Sequence, residues 1–215
     1  MAHEARLYPV SLVVAGRRCL VVGGGAVAAR KAQGLLDCGA RVTVVAPDVV
    51  DELTAGGRGS DGGLTVERRP YRTPEAGDYR LVVTATGVPA VDHQVFLDAE
   101  AAGVWVNSAD DLDNCAFLLP AVHRDGPVTV AVSTAGASPA LAQWLRTRVA
   151  EAIGPDVGVL AGLLDEARSA VKAAGRSTED LDWSTALESV VPLVREGRVD
   201  EARTVLAEFT GLTGP

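Results

Sequence analysis

Short apolar runs alternate with amphipathic stretches through the first half of the chain, and this alternation predicts its elements. Leu20-Val21-Val22 is apolar throughout, as in a strand buried on both faces. From Ala26 to about Cys38 the apolar positions Ala28, Ala32, Leu35 and Leu36 keep helical spacing, and Gly39 suits the reversal after that helix. Arg41–Ala46, Leu64–Arg68, Arg80–Thr86 and Val104–Asn107 read as further strands. A helix is expected from Pro89 to Ala102, packing through Val91, Val95, Leu97 and Ala101 and stopped by Gly103. Tyr8–Val14 reads as a short strand or an extended lead-in, and the glycine-rich residues 55–63 as a surface loop without function. Strands alternating with helices predict an α/β fold built on a Rossmann-type parallel sheet.

After Asn107 the pattern changes. Phe117–Val122 and Val128–Ser133 are apolar strands around the turn Arg124–Pro127, too close together for a helical crossover, so they predict an antiparallel hairpin. Ser138 suits an N-cap and Pro139 the first helical position. Leu141, Leu145, Val149 and Ile153 then recur every fourth residue, widened by Trp144 and Ala152. That stripe reads as a homodimer interface or as an ordinary intrachain core. Helices are expected at 157–173, 182–195 and 199–209, the middle one kinked or shortened by Pro192. The expected division is a nucleotide-binding domain over residues 1–112, a dimerisation hairpin and helix over 113–153, and a helical C-terminal domain over 154–215.

Bulk composition narrows the function classes. A net charge of −8 and a pI near 4.9 argue against a nucleic-acid-binding surface. No apolar run approaches the length of a membrane span, and Met1–Arg6 leads into no signal-peptide core. Cys19, Cys38 and Cys115 are odd in number, widely spaced and in apolar settings. They predict neither a disulfide framework nor a thiolate metal site, and they suit a reducing cytoplasm.

The candidate chemistry starts where the first strand ends. Gly23, Gly25 and Ala28 have the spacing G-x-G-x-x-A between a strand and a helix. In a dinucleotide site the first glycine allows the tight turn, the second lets a pyrophosphate reach the backbone, and the small third residue lets helix pack on strand. Free N–H groups of the first helical turn favour an anion there. The acidic residue that usually holds the ribose comes slightly late, as Asp48 after Pro47, and no arginine follows directly, which favours NAD over its phosphorylated form. Thr84, Ala85 and Thr86 end the fourth strand and are expected beside the dinucleotide.

Past the fifth strand, Asn107–Asn114 holds Asp110, Asp111 and Asp113. This segment reads either as a solvated acidic turn or as a general base whose pKa is raised by its neighbours. His3 reads as a disordered terminus and His93 as exposed. His123, read as part of the hairpin turn, is a candidate substrate contact. No clustered ligand pattern predicts a metal site.

Several separate motifs, in order, resemble one family. They are Gly23–Lys31 (GGGAVAARK), Val44–Pro47, Thr84–Thr86, Asn107-x-x-Asp110, Phe117-x-x-Pro120 and Ala131–Pro139. Together they are similar to precorrin-2 dehydrogenase, the dehydrogenase/ferrochelatase module of siroheme synthases, as far as about residue 150. The resemblance implies NAD-dependent oxidation of the tetrapyrrole precorrin-2 to sirohydrochlorin, followed in some members by ferrous iron insertion, and a homodimer formed through the hairpin and the helix after it. It places the catalytic aspartate at Asp110 and NAD contacts at Ala26, Val27, Pro47 and Asp48. Asn107, His123, Gly136 and Ser138 are then expected to touch substrate, with Arg146 and Arg148 as further cations for its carboxylates. Thr134 stands where some relatives carry a phosphorylatable serine. No methyltransferase extension is expected. A dimeric NAD-sensing module without catalysis is the alternative reading.

Overall fold

The computed structural model describes residues 6–55 and 63–212, which fall into two compact units. His3 and most of the glycine-rich loop lie outside the described residues.

The first unit comprises residues up to Leu119 together with Ala135–Ala137. Its centre is a sheet of β1 (Arg18–Val22), β2 (Arg41–Ala46), β3 (Leu64–Arg68), β4 (Leu81–Thr84) and β5 (Trp105–Ser108). The strands are all parallel, in the order β3-β2-β1-β4-β5. Strand order therefore reverses between β1 and β4, and in such sheets the ligand crevice opens at the carboxyl ends of those two strands. Helix α1 (Ala26–Leu36) and the short helix α2 (Asp51–Ala55) follow β1 and β2, and α3 (Pro89–Ala101) follows β4. Alternate strand residues feed two cores. Cys19, Val21, Val42, Val44 and Val83 pack with Ala28 and Ala32 of α1. Leu20, Val22, Val82 and Val106 pack with Val95 and Ala99 of α3.

Several sequence expectations shift here. Tyr8–Val14 forms no strand. On α3, Leu97 and Ala101 are exposed, and the buried face runs through Asp92, Val95, Asp98 and Ala99. Buried carboxylates hid that face from an apolar count: Asp98 accepts hydrogen bonds from Tyr71 and Gln94, and Asp92 holds the turn after β4. Cys38 is exposed rather than packed.

The second unit contains the antiparallel hairpin β6 (Ala121–Asp125) and β7 (Val128–Val132), then α4 (Pro139–Ile153), α5 (Val157–Ala173), α6 (Trp183–Arg195) and α7 (Val199–Thr210). The hairpin turn is only Gly126-Pro127, because Arg124 and Asp125 pair with Thr129 and Val128. His123 accordingly sits in mid-strand opposite Val130, not in the turn. Phe117 lies outside the hairpin and packs on the α1-side core of the first unit. Ser138 caps α4 by accepting the Leu141 N–H at 3.2 Å, with Pro139 in the first turn. Asp125 accepts the Gly158 N–H at 2.8 Å, fixing the start of α5 to the hairpin. Helices α5 to α7 share a core of Leu163, Ala186, Val190, Val194, Ala202 and Leu206. Helix α6 continues through Pro192 to Arg195. A proline removes one donor from the helical ladder, and burial of Val190 and Val194 on either side of it holds the helix together.

Candidate functional site

The glycine loop between β1 and α1 is shaped by close backbone approach. Gly23 has φ +129°, and a Cβ on it would lie 2.2 Å from the Ala85 carbonyl oxygen. A Cβ on Gly24 would lie 1.8 Å from the Asp48 carbonyl oxygen, and the Gly24 carbonyl accepts the Val50 N–H at 2.8 Å. These two glycines therefore clamp the ends of β4 and β2 against the loop, bringing Ala85, Pro47 and Asp48 together beside it. Gly25 is different. A Cβ there would meet nothing within 4 Å, so the space over it is open. Gly25 is the N-cap of α1, no side chain caps that end, and the first turn carries no acidic residue.

The first intrahelical bond runs from Ala29 to the Gly25 carbonyl, which leaves the N–H groups of Ala26, Val27 and Ala28 without helical partners. Unpartnered donors, the positive end of the helix dipole and an open approach at Gly25 fit a dinucleotide pyrophosphate. Asp48 is exposed, and no hydrogen bond within the described residues engages its carboxylate, as a ribose diol requires.

The end of β4 is built around Asp92, which the sequence reading missed. Thr84 and Thr86 both donate hydroxyl hydrogen bonds to Asp92 Oδ1, the latter at 2.8 Å, and the Thr86 N–H reaches the same oxygen at 3.3 Å. The Thr84 side chain is fully buried, so its hydroxyl shapes the turn and is not presented to a ligand. Ala85 and Thr86, both half-buried, contribute the accessible edge. The signal was Asp92 in the first turn of α3, eight residues after Thr84, where an acid also suits the helix dipole.

At the end of β5, the acidic segment separates into different roles. Asp111 accepts the Asp113 N–H at 3.0 Å and the Asn114 Nδ2–H at 2.9 Å, and so caps the short turn Leu112–Asn114. The Asp110 side chain is exposed and engaged in no hydrogen bond within the described residues. At the end of the strand itself, Asn107 Nδ2 donates to the Phe117 carbonyl at 2.9 Å, while Asn107 Oδ1 is buried with no partner. The Cys115 thiol packs against both main-chain groups of Ser108, and burial pushes its pKa up, ahead of smaller opposing effects from the Ser108 N–H, Lys31 and Asn107. His93 is exposed and contacts Asn114 Oδ1 at 2.9 Å through Nδ1. Among the described residues no group of three or more His, Cys, Asp or Glu is arranged to hold a metal ion.

The remaining expected contacts belong to other surroundings. Gly136, in the first unit, has φ +83° and follows Ala135 at φ +51°. In the second unit, the Ser138 N–H donates to Thr134 Oγ1 at 3.1 Å, and Thr134 donates back to the Ser138 carbonyl at 3.0 Å. That amide is therefore not an open anion donor. Arg148 pairs with Glu151 at 2.8 Å and lies over the Trp144 ring, while Arg146 Nε is buried without a partner.

Comparison with known proteins finds relatives along most of the chain. A family model described as NAD(P)-binding matches residues 10–121, and one described as sirohaem biosynthesis protein, central, matches residues 125–152. A siroheme synthase of Methylococcus capsulatus is 38% identical over 208 residues, covering 93% of this chain and 42% of the relative. One from Pseudomonas entomophila is 41% identical over 158 residues, covering 74% of this chain and 34% of the relative. The chain thus spans about two-fifths of the length of the curated relatives it matches. The solved structure of SirC, a precorrin-2 dehydrogenase, superposes with a TM-score of 0.71 at 27% identity, covering 94% of this chain and 96% of that one.

Proposed function

The chain belongs to the siroheme-synthase dehydrogenase family, and on that premise we propose that it oxidises precorrin-2 to sirohydrochlorin with NAD. The observation that carries the proposal is the pairing of an open, uncapped glycine loop with a solvent-facing Asp110 at the crevice end of the same sheet. NAD, when bound, supplies the hydride acceptor. The N–H groups of Ala26 and Val27 hold its pyrophosphate, Asp48 its ribose, and Ala85 and Thr86 line the adjoining edge. Precorrin-2 loses two electrons and two protons overall: one proton leaves with the electron pair as hydride, and the Asp110 carboxylate takes the other. Proton removal relieves the positive charge that hydride loss leaves on the macrocycle, and Asp110 returns the proton to solvent.

The reading extends to Asn107 and Gly136 of the first unit as substrate contacts. It also includes a homodimer and a cytoplasmic site of action. Leu141 and Trp144 support the dimer: they lie one turn apart on α4 and are 47% and 56% exposed, a large apolar surface for one helix face. A non-catalytic NAD-sensing module is not favoured, because the relatives are siroheme synthases and a dehydrogenase. Anaerobic incubation of precorrin-2 with NAD tests the proposal. NADH and the sirohydrochlorin spectrum should appear together; tight NAD binding with no turnover would reject it. Addition of ferrous iron to the same cuvette reports whether chelation follows.

A further inference from the structure

We propose that Lys31 is a substrate-anchoring residue, its ammonium receiving one carboxylate of the tetrapyrrole beside Asp110. This rests on the dehydrogenase reading above. The position follows from the helix. On α1 the buried stripe runs through Ala28 and Ala32, with Leu36 on one flank and Lys31 on the other, roughly 140° apart at 100° per residue. A Cβ on Gly63, the residue before β3, would lie 3.4 Å from Leu36 Cδ2, which places the Leu36 flank toward β3. The Lys31 flank therefore faces the other way, toward β4, β5 and the segment after β5. On that same face, Asn107 pairs in register with Val83 of the α1-side core, and Phe117 packs on that core.

Lys31 is half-buried, and among the described residues no hydrogen bond or ion pair holds its ammonium. Burial foremost, then the neighbouring charge of Arg30, lower its pKa, while Cys115 and Asp110 pull the other way. The Cys115 thiol is kept protonated by its own burial, which leaves the Asp110 carboxylate as the acidic group beside Lys31. The buried and unpartnered Asn107 Oδ1 adds an acceptor without a donor at the same place. A half-buried cation held by no hydrogen bond or ion pair and an acceptor lacking a donor describe a surface completed by a polar ligand. A polycarboxylate with pyrrole N–H groups supplies both kinds of partner. In a chain of net charge −8, such a local cation also offsets the repulsion an anionic substrate meets.

The test compares wild type, Lys31→Gln and Lys31→Arg, each checked for folding by circular dichroism. Sirohydrochlorin binding, NAD binding and precorrin-2 turnover are measured for all three. Lys31→Gln should weaken sirohydrochlorin binding and raise the precorrin-2 KM by roughly 10- to 100-fold, the loss falling on KM rather than kcat. NAD affinity should be unchanged, and Lys31→Arg should recover most of the loss. Unchanged KM and sirohydrochlorin affinity in Lys31→Gln would overturn the assignment. So would a shifted pH profile of kcat at constant KM, which would make Lys31 a tuner of Asp110. If wild type binds sirohydrochlorin but never oxidises precorrin-2, the dehydrogenase reading fails, and the binding comparison still decides Lys31. If wild type does not bind sirohydrochlorin, both fail.

Discussion

Gly23 approaches Ala85 so closely that a single methyl group on it would sit 2.2 Å from the Ala85 carbonyl oxygen. The contact joins the turn after β1 to the end of β4, the two strands between which the sheet order reverses. Two glycines two residues apart then have separate jobs. Gly23→Ala should cost about 2–4 kcal/mol, from backbone strain at φ +129° together with the clash, and should lower the thermal midpoint. Gly25→Ala meets no protein atom, so its stability should stay within about 0.5 kcal/mol of wild type. Its NAD affinity should nevertheless fall at least about tenfold, because the methyl group occupies the pyrophosphate approach. Calorimetry of unfolding and of NAD binding on both variants separates the two effects.

Asp92 holds three donors of the turn after β4. Asp92→Ala leaves the buried Thr84 hydroxyl without its acceptor and removes the partner of two half-buried Thr86 donors, and should destabilise the protein by about 2–3 kcal/mol. Asp92→Asn retains an acceptor oxygen and should lose less. Denaturant titration gives both values, and NAD affinity should fall in the same order as the Ala85-Thr86 edge loosens.

Glu75 lies beside Arg69 at 2.6 Å, with its side chain 16% exposed. Burial alone would raise its pKa, but hydrogen bonds from Arg69 and the Arg72 N–H hold it below the usual carboxylate value. The folded pKa lies below the unfolded one, so this stabilisation is complete above the unfolded value and disappears as pH falls through the folded value. Glu75→Gln should cost about 1–2 kcal/mol at neutral pH and nothing once acid has protonated the wild-type carboxyl. Unfolding curves across that pH range check the convergence.

The three cysteines should react in a fixed order. Cys38 is exposed, Cys115 is half-buried with a raised pKa, and Cys19 is fully buried with its thiol pushed up to about 11. A thiol reagent near neutral pH should label Cys38 first and Cys115 slowly. Cys19 should be labelled only on unfolding. Mass spectrometry of timed digests reads the order.

The sheet was legible because continuous apolar runs such as Leu20–Val22 lie buried between two helix layers, and glycine spacing marked the loop that needs backbone approach. Asp110 was reached by resemblance and by its place after β5. What the sequence concealed was polar burial. Asp92 and Asp98 occupy the buried face of α3, so an apolar count selected Leu97 and Ala101 instead. Asp111 looked like a partner in a repelling cluster and is a turn cap. Thr84 looked like a ligand contact because of its strand end, and its hydroxyl is turned inward to a carboxylate eight residues later. Such pairings depend on where two elements meet, which periodicity along one element does not encode.

The most direct measurement is single-turnover oxidation of precorrin-2 by the wild-type and Asp110→Asn proteins, anaerobically and at saturating NAD, followed through NADH and sirohydrochlorin absorbance. The account predicts that Asp110→Asn binds NAD as wild type does and forms both products at least about 100-fold more slowly. An Asp110→Asn protein that turns over at the wild-type rate would contradict it.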